Sequence, residues 1–105
     1  MIKYSIKKHN DQIQEIKVTG HADYSESGSD IVCASVSTAI ILTVNGIEFL
    51  GSIKNIEVDL KEGYFNLIVK ENDKIVEGLL KNLEYTFEQL KTDYKKYIKN
   101  QKKEG

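Results

Sequence analysis

The sequence predicts an α+β domain in two layers, a mainly antiparallel sheet packed by two helices in the order β-β-α-β-β-α. Three observations carry this. Two pairs of segments alternate apolar and polar residues about a short polar turn. Each pair is followed by a stretch with helical spacing. No proline, repeat or low-complexity linker divides the 105 residues. One domain over 1–105 is therefore expected, long enough to bury roughly two-thirds of its unfolded surface around a single core.

The elements follow in order. Ile2, Tyr4 and Ile6 alternate with polar residues, as do Ile16 and Val18, and His9-Asn10-Asp11-Gln12 between them suits a hairpin turn, which leaves His9 at the surface. Gly20 ends the second strand and delivers His21. A polar loop follows, after which Ser29 or Asp30 can cap a helix by accepting an orphan N–H. Val32, Val36, Ile40, Val44 and Ile47 then share one helical stripe. The β-branched run from Val36 to Val44 would also suit a buried strand, but its length and stripe favour helix, with Gly51 as the stop. Ser35, Ser37, Asn45 and Glu48 interrupt the apolar stretch, which argues for a buried helix and against a membrane span.

Ile56, Val58 and Leu60 alternate next, Lys61-Glu62-Gly63 turns the chain, and Phe65, Leu67 and Val69 alternate again. Asn72 or Asp73 can cap the last helix, on which Val76, Leu80, Leu83, Phe87, Leu90, Tyr94 and Tyr97 form a heptad-like seam. That seam either lies across the domain's own sheet or receives a partner helix from a second subunit.

Charge and composition exclude several functions. Fifteen basic residues against sixteen acidic leave a net charge of −1, which gives no field to attract nucleic acid. Every basic residue is lysine, so bidentate phosphate recognition by arginine is absent. A Cys-x5-Arg phosphatase is excluded as well, since the sixth residue after Cys33 is Ala39. Lys95, Lys96, Lys99, Lys102 and Lys103 read as the solvated face and frayed tip of a helix. A lone cysteine makes no intrachain disulfide, and one Cys with two His is too few for a structural zinc site. The N-terminal MIKYSIKKHN has no hydrophobic stretch suited to export, so the cytoplasm is the expected location and no membrane association is expected.

The stretch from Gly20 to Ser37, GHADYSESGSDIVCASVS, holds the only cysteine and one of the two histidines. A thiol near its free pKa is little ionised at neutral pH, so a reactive one needs a neighbour that favours the thiolate. His21 can supply that as base or cation, and the start of a helix can supply it through unpaired N–H groups. The loop Asp23-Tyr24-Ser25-Glu26-Ser27-Gly28-Ser29 lacks the apolar area to hold itself down, and is expected to act as a lid over the site. On the residues alone, plainer readings stand beside this one. Cys33 can be a small buried hydrophobe, His21 a strand-end histidine satisfied by a carbonyl, and Asp30 only a cap. Ser37 can simply bond back to its helix, and Tyr24 can be packing.

Gly20-His21-Ala22-x-Tyr24 followed by Gly28-x-Asp30-Ile31-Val32-Cys33-Ala34-x-Val36-Ser37 resembles the signature of the bacterial ribosomal-processing cysteine protease family, called Prp. The motif has fixed residue types on both sides of a gap of fixed size, and chain length and element order also suit the family. The resemblance implies a cysteine endopeptidase that removes the N-terminal extension of large-subunit ribosomal protein number twenty-seven. It implies cleavage after an aromatic residue and before a small one. It implies Cys33 as nucleophile and His21 as general base and acid, in a dyad. It implies Gly20, Ala22, Asp30, Ala34 and Ser37 as supporting or substrate-binding residues. It further implies a homodimer that uses no metal or cofactor. Two other classes share these features, a non-catalytic ribosome-associated binding module and a thiol redox sensor.

Overall fold

A computed structural model describes residues 1–20 and 29–101, with Ser29 and Asp30 as backbone only. The elements are β1 (Ile2–His9), β2 (Gln12–Thr19), α1 (Ser29–Phe49), a 3-10 turn (Ile53–Asn55), β3 (Ile56–Lys61), β4 (Tyr64–Val69), α2 (Lys74–Asp93) and β5 (Ile98–Asn100). The five strands form one sheet in the order β3-β4-β2-β1-β5. Every neighbouring pair is antiparallel except β1 and β5, which run parallel. The expected α+β class holds, with a fifth strand added.

Local chemistry explains the turns. Asn10 and Asp11 both sit at positive φ, 50° and 65°, between the paired residues His9 and Gln12. That is the type I′ geometry whose twist matches a hairpin, and Asn and Asp tolerate it. The second hairpin turns through Glu62 and Gly63, with Gly63 at φ 72°.

The sheet buries one face. Ile2 and Tyr4 of β1, Ile16 and Val18 of β2, Phe65 and Leu67 of β4 and Ile98 of β5 lie together in register and are buried. Ile13 joins them although it stands three residues before Ile16. The pairing steps from Lys7↔Glu15 to Lys8↔Ile13, so Gln14 is an extra residue in β2. This β-bulge returns Ile13 to the core face, which strict alternation would have denied it.

α1 supplies Val32, Val36, Ile40 and Ile47 to the core, with Val44 partly buried, as the stripe predicts. Its end is a Schellman motif: Ser52 N–H donates to the Ile47 carbonyl, Gly51 N–H to Glu48, and Gly51 adopts φ 92°. The expectation of a buried helix holds for that stripe only. Ile31, Ile41, Leu42, Phe49 and Leu50 are exposed, Leu42 to 72% and Phe49 to 84%. By length and composition Ile31–Phe49 would suffice to cross a membrane, but its inner stripe is packed on the sheet. Ser29 and Asp30 are the first two residues of α1 rather than residues before it.

α2 starts where expected. Asp73 is its N-cap, and its carboxylate accepts from Val76 N–H at 2.7 Å and Asn55 Nδ2 at 2.6 Å. Val76, Leu80, Leu83 and Phe87 are fully buried, so the seam is consumed by the domain's own core and offers no place to a partner helix. Phe87 packs against Tyr4 with ring centroids 5.0 Å apart, and Tyr4 Oη donates to Glu88 at 2.8 Å.

The seam also ends earlier than the heptad spacing implies. α2 stops at Asp93, and Tyr94 caps it with its N–H on the Leu90 carbonyl. Tyr97 therefore precedes β5 and its carbonyl accepts from Ile2 N–H, while Lys95, Lys96 and Lys99 lie outside the helix. Aromatic residues suit either state, and burying Ile98 beside Ile2 favours the strand. Lys102 and Lys103 fall outside the described residues.

Two outcomes follow. Phe87→Ala should cost about 3–5 kcal/mol in urea unfolding, because the ring is wholly enclosed. Asp73 is held below the ordinary carboxylate value, first by the Val76 N–H bond and next by the Ser52 hydroxyl. A depressed folded pKa gives stability that is present above the unfolded value and is lost as pH falls through the folded one. Thermal melts should therefore show that Asp73→Asn flattens the fall in melting temperature below about pH 4.

Candidate active site

Cys33 lies one turn into α1, half-buried, with its side chain against the core. Side chains on a helix lean toward its N-terminus, so the thiol is directed toward the turn Ser29–Val32. Those four residues carry the N–H groups that the helix itself leaves without carbonyl partners. The N–H groups expected of a helix start therefore belong to the turn before Cys33 and not to Cys33 itself.

A pocket of about 110 Å³ opens beside the cysteine. Cys33, Val36, Ser37 and Ile40 of α1 form one wall. Gly20, at the end of β2, and the hairpin residues Leu60, Lys61, Gly63 and Tyr64 form the other, with Ile2, Val18 and Phe65 at the base. Gly20 and Gly63 are joined directly, since Gly20 N–H donates to the Gly63 carbonyl at 3.1 Å. Gly20 adopts φ 99°, and a Cβ there would land on the Met1 carbonyl oxygen. No other residue fits that position without strain. This fixes the backbone from which His21 departs.

Of the residues singled out from sequence, the pocket brings together Gly20, Cys33 and Ser37. Ala34 is exposed on α1 and is absent from the pocket wall. Asp30 is in the first turn of α1. His21, Ala22, Asp23, Tyr24, Ser25, Glu26, Ser27 and Gly28 lie outside the described residues, as does the Ser29 side chain. His9 is exposed in β1, away from the pocket wall. Among the described residues no His, Cys, Asp and Glu cluster could hold a metal ion.

The hairpin residues Leu60, Lys61, Gly63 and Tyr64 were not legible as site residues. They reach the pocket because β4 pairs with β2, which sets Thr19 opposite Tyr64 and Gly20 beside Gly63. Gly63 at a tight turn was visible in the sequence, but only as a turn. Lys17 and Lys61 flank the Tyr64 ring, each ammonium 5.8–5.9 Å from its centroid, and place positive charge on the hairpin's outer face.

A family model described as cysteine protease Prp matches residues 1–99. The ribosomal processing cysteine protease Prp of Bacillus subtilis (strain 168) is 30% identical, over 90% of this chain and 91% of its own length. Among solved structures, an essential ribosomal processing protease Prp from S. aureus in complex with a substrate peptide superposes with a TM-score of 0.88. It is 24% identical and covers 98% of this chain and 100% of its own. The same S. aureus protease in complex with a covalently linked product peptide gives a TM-score of 0.83, at 24% identity and with the same coverage. At that identity the structures speak for a shared fold.

The glycine clamp can be tested by itself. Gly20→Ala should destabilise the domain by about 1–3 kcal/mol, from the left-handed backbone and the collision with Met1. Denaturant titration measures this, and an unchanged midpoint would show that the strand end relaxes freely.

Proposed function

The chain belongs to the cysteine protease Prp family, and on that premise we propose that it removes the N-terminal extension of large-subunit ribosomal protein number twenty-seven. It is a cysteine protease by family. The finer reading takes Cys33 as nucleophile and His21 as its base and acid, with cleavage after an aromatic residue and before a small one. The observation that carries it is the pocket wall: Cys33 and Gly20, the residue bonded to His21, face one cavity from two elements. The B. subtilis relative's name, a ribosomal processing protease, supports the substrate class.

In this reading the His21 imidazole takes the Cys33 proton, and the thiolate attacks the scissile carbonyl carbon. A C–S bond forms and the carbonyl oxygen becomes an oxyanion, which the N–H groups in the first turn of α1, without partners inside the helix, stabilise. Collapse breaks the C–N bond as the imidazolium protonates the leaving amine. Water, deprotonated by His21, then attacks the thioester and releases the acid and the Cys33 thiol. Asp30 supports the pair, Ser37 and Gly20 border the substrate, and Ala22 and residues 23–29 lie along the same motif. The cytoplasm is the proposed location.

A homodimer is part of the proposal. α2 has no free seam to offer, so the contact is assigned to the outer face of α1, where Ile41, Leu42 and Phe49 are exposed together.

The experiment is a cleavage assay on a peptide spanning the extension junction. Cys33→Ala and His21→Ala should each lower turnover at least about a thousandfold with circular dichroism unchanged. Activity near wild type in either variant refutes the dyad. Light scattering should return a dimer for the wild type and the 12.0 kDa monomer for Leu42→Glu. A wild-type monomer at micromolar concentration refutes the assembly.

A further inference from the structure

β3 forms one border of the sheet, and among the described residues no strand pairs with its outer edge. Lys61 and Tyr64 close the hairpin as a hydrogen-bonded pair, so Lys61, Asp59 and Glu57 turn their N–H and C=O groups toward β4. The alternating residues, Leu60 and Val58, point theirs outward, and no other backbone partner takes them among the described residues.

The side chains of the same two residues lie on the helix-covered face, in register with Phe65 and Leu67. α1 does not cover them: Val58 is 39% exposed and Leu60 58%. Edge strands are ordinarily guarded by proline, by inward-pointing charge or by a covering segment. β3 has no proline, and its charges Glu57, Asp59 and Lys61 all fall on the opposite face. Leu60 and Lys61 also belong to the pocket wall beside Cys33. Among the described residues, an edge without those guards and with half-exposed apolar side chains thus runs directly into the cysteine pocket.

We propose that the substrate polypeptide binds as an added strand on β3, bonding to the outward backbone groups of Val58 and Leu60 and carrying its scissile bond past Leu60 to Cys33. This deepens the protease reading and rests on it. Main-chain bonds supply affinity for any extended chain, and alternate side chains supply selectivity. Residues facing the helix side meet Val58 and Leu60, so they are apolar. Residues between them face Glu57 and Asp59, so basic or neutral polar side chains fit and acidic ones are repelled. The substrate class is therefore an extended segment that alternates apolar with basic or neutral polar residues.

The test uses the full chain and a peptide of that pattern spanning the extension junction. In the Cys33→Ala protein, adding peptide should slow hydrogen exchange at the Val58 and Leu60 amides about tenfold or more, while Glu57 and Asp59, already bonded to β4, change little. In the active protein, Val58→Pro removes an outward N–H without touching the β4 ladder, and should raise KM about tenfold. Val58→Thr keeps the N–H and should stay within about threefold of wild type. A peptide with glutamate at the intervening positions should bind more weakly than its lysine counterpart. Cleavage with unprotected Val58 and Leu60 amides, or with a wild-type KM in Val58→Pro, overturns the added strand and leaves the protease standing. No cleavage by the wild type of any junction peptide overturns both.

Discussion

The backbone bond from Gly20 to Gly63 joins two hairpins that are remote in sequence, and it does so beside the first turns of α1. It is the last rung of the β2–β4 pairing, which also sets Val18 against Phe65 and Ile16 against Leu67 beneath the helices. The position is defined from three sides: the Gly63 carbonyl in front, the Met1 carbonyl behind, and a positive φ that only glycine adopts without strain. With that rung in place, the end of β2 and the thiol of Cys33 face one cavity. It extends the β2–β4 pairing beyond Thr19 and Tyr64 to the hairpin tip, where Gly20 and Gly63 both border the pocket.

Much of this frame is readable from residue types because local chemistry decides it. Asn10-Asp11 can supply two positive φ values, Gly51 can end α1, and Asp73 can cap α2, and each does so. What escaped the sequence depends on choices made at a distance. The β-bulge at Gln14 breaks the alternation that marks a strand, so Ile13 did not stand out as core. The tyrosines at 94 and 97 keep helical spacing past the true end of α2, and no glycine or proline warns of the stop. β5 forms only because β1 offers an edge to Ile98. The site divides in the same way. Cys33 and Gly20 were legible as a motif, whereas Leu60, Lys61, Gly63 and Tyr64 reach the pocket through sheet order, which no local spacing encodes.

α1 carries two kinds of apolar surface, and separating them changes how the chain is understood. Val32, Val36, Ile40 and Ile47 are spent on the core, which accounts for one stripe. Leu42 and Phe49 are exposed on the other side, more apolar surface than a solvated helix face ordinarily keeps. On α2 the situation is reversed: its seam is enclosed, and its outer face carries ion pairs such as Lys81–Glu77 and Lys91–Glu88. The proposed dimer contact therefore moves from the helix with the heptad-like pattern to the helix without one. The two proposed binding surfaces are distinct, with substrate on the β3 edge and the second copy on α1.

The central claim is that peptide-bond cleavage passes through a covalent bond to Cys33. Mixing the protein with the extended ribosomal precursor, quenching in acid within the first turnover and measuring intact masses tests it most directly. The account predicts a thioester between Cys33 and the released N-terminal fragment in the wild type, no adduct and no cleavage in Cys33→Ala, and a mature precursor that begins at the small residue. Cleavage that persists in Cys33→Ala would contradict it.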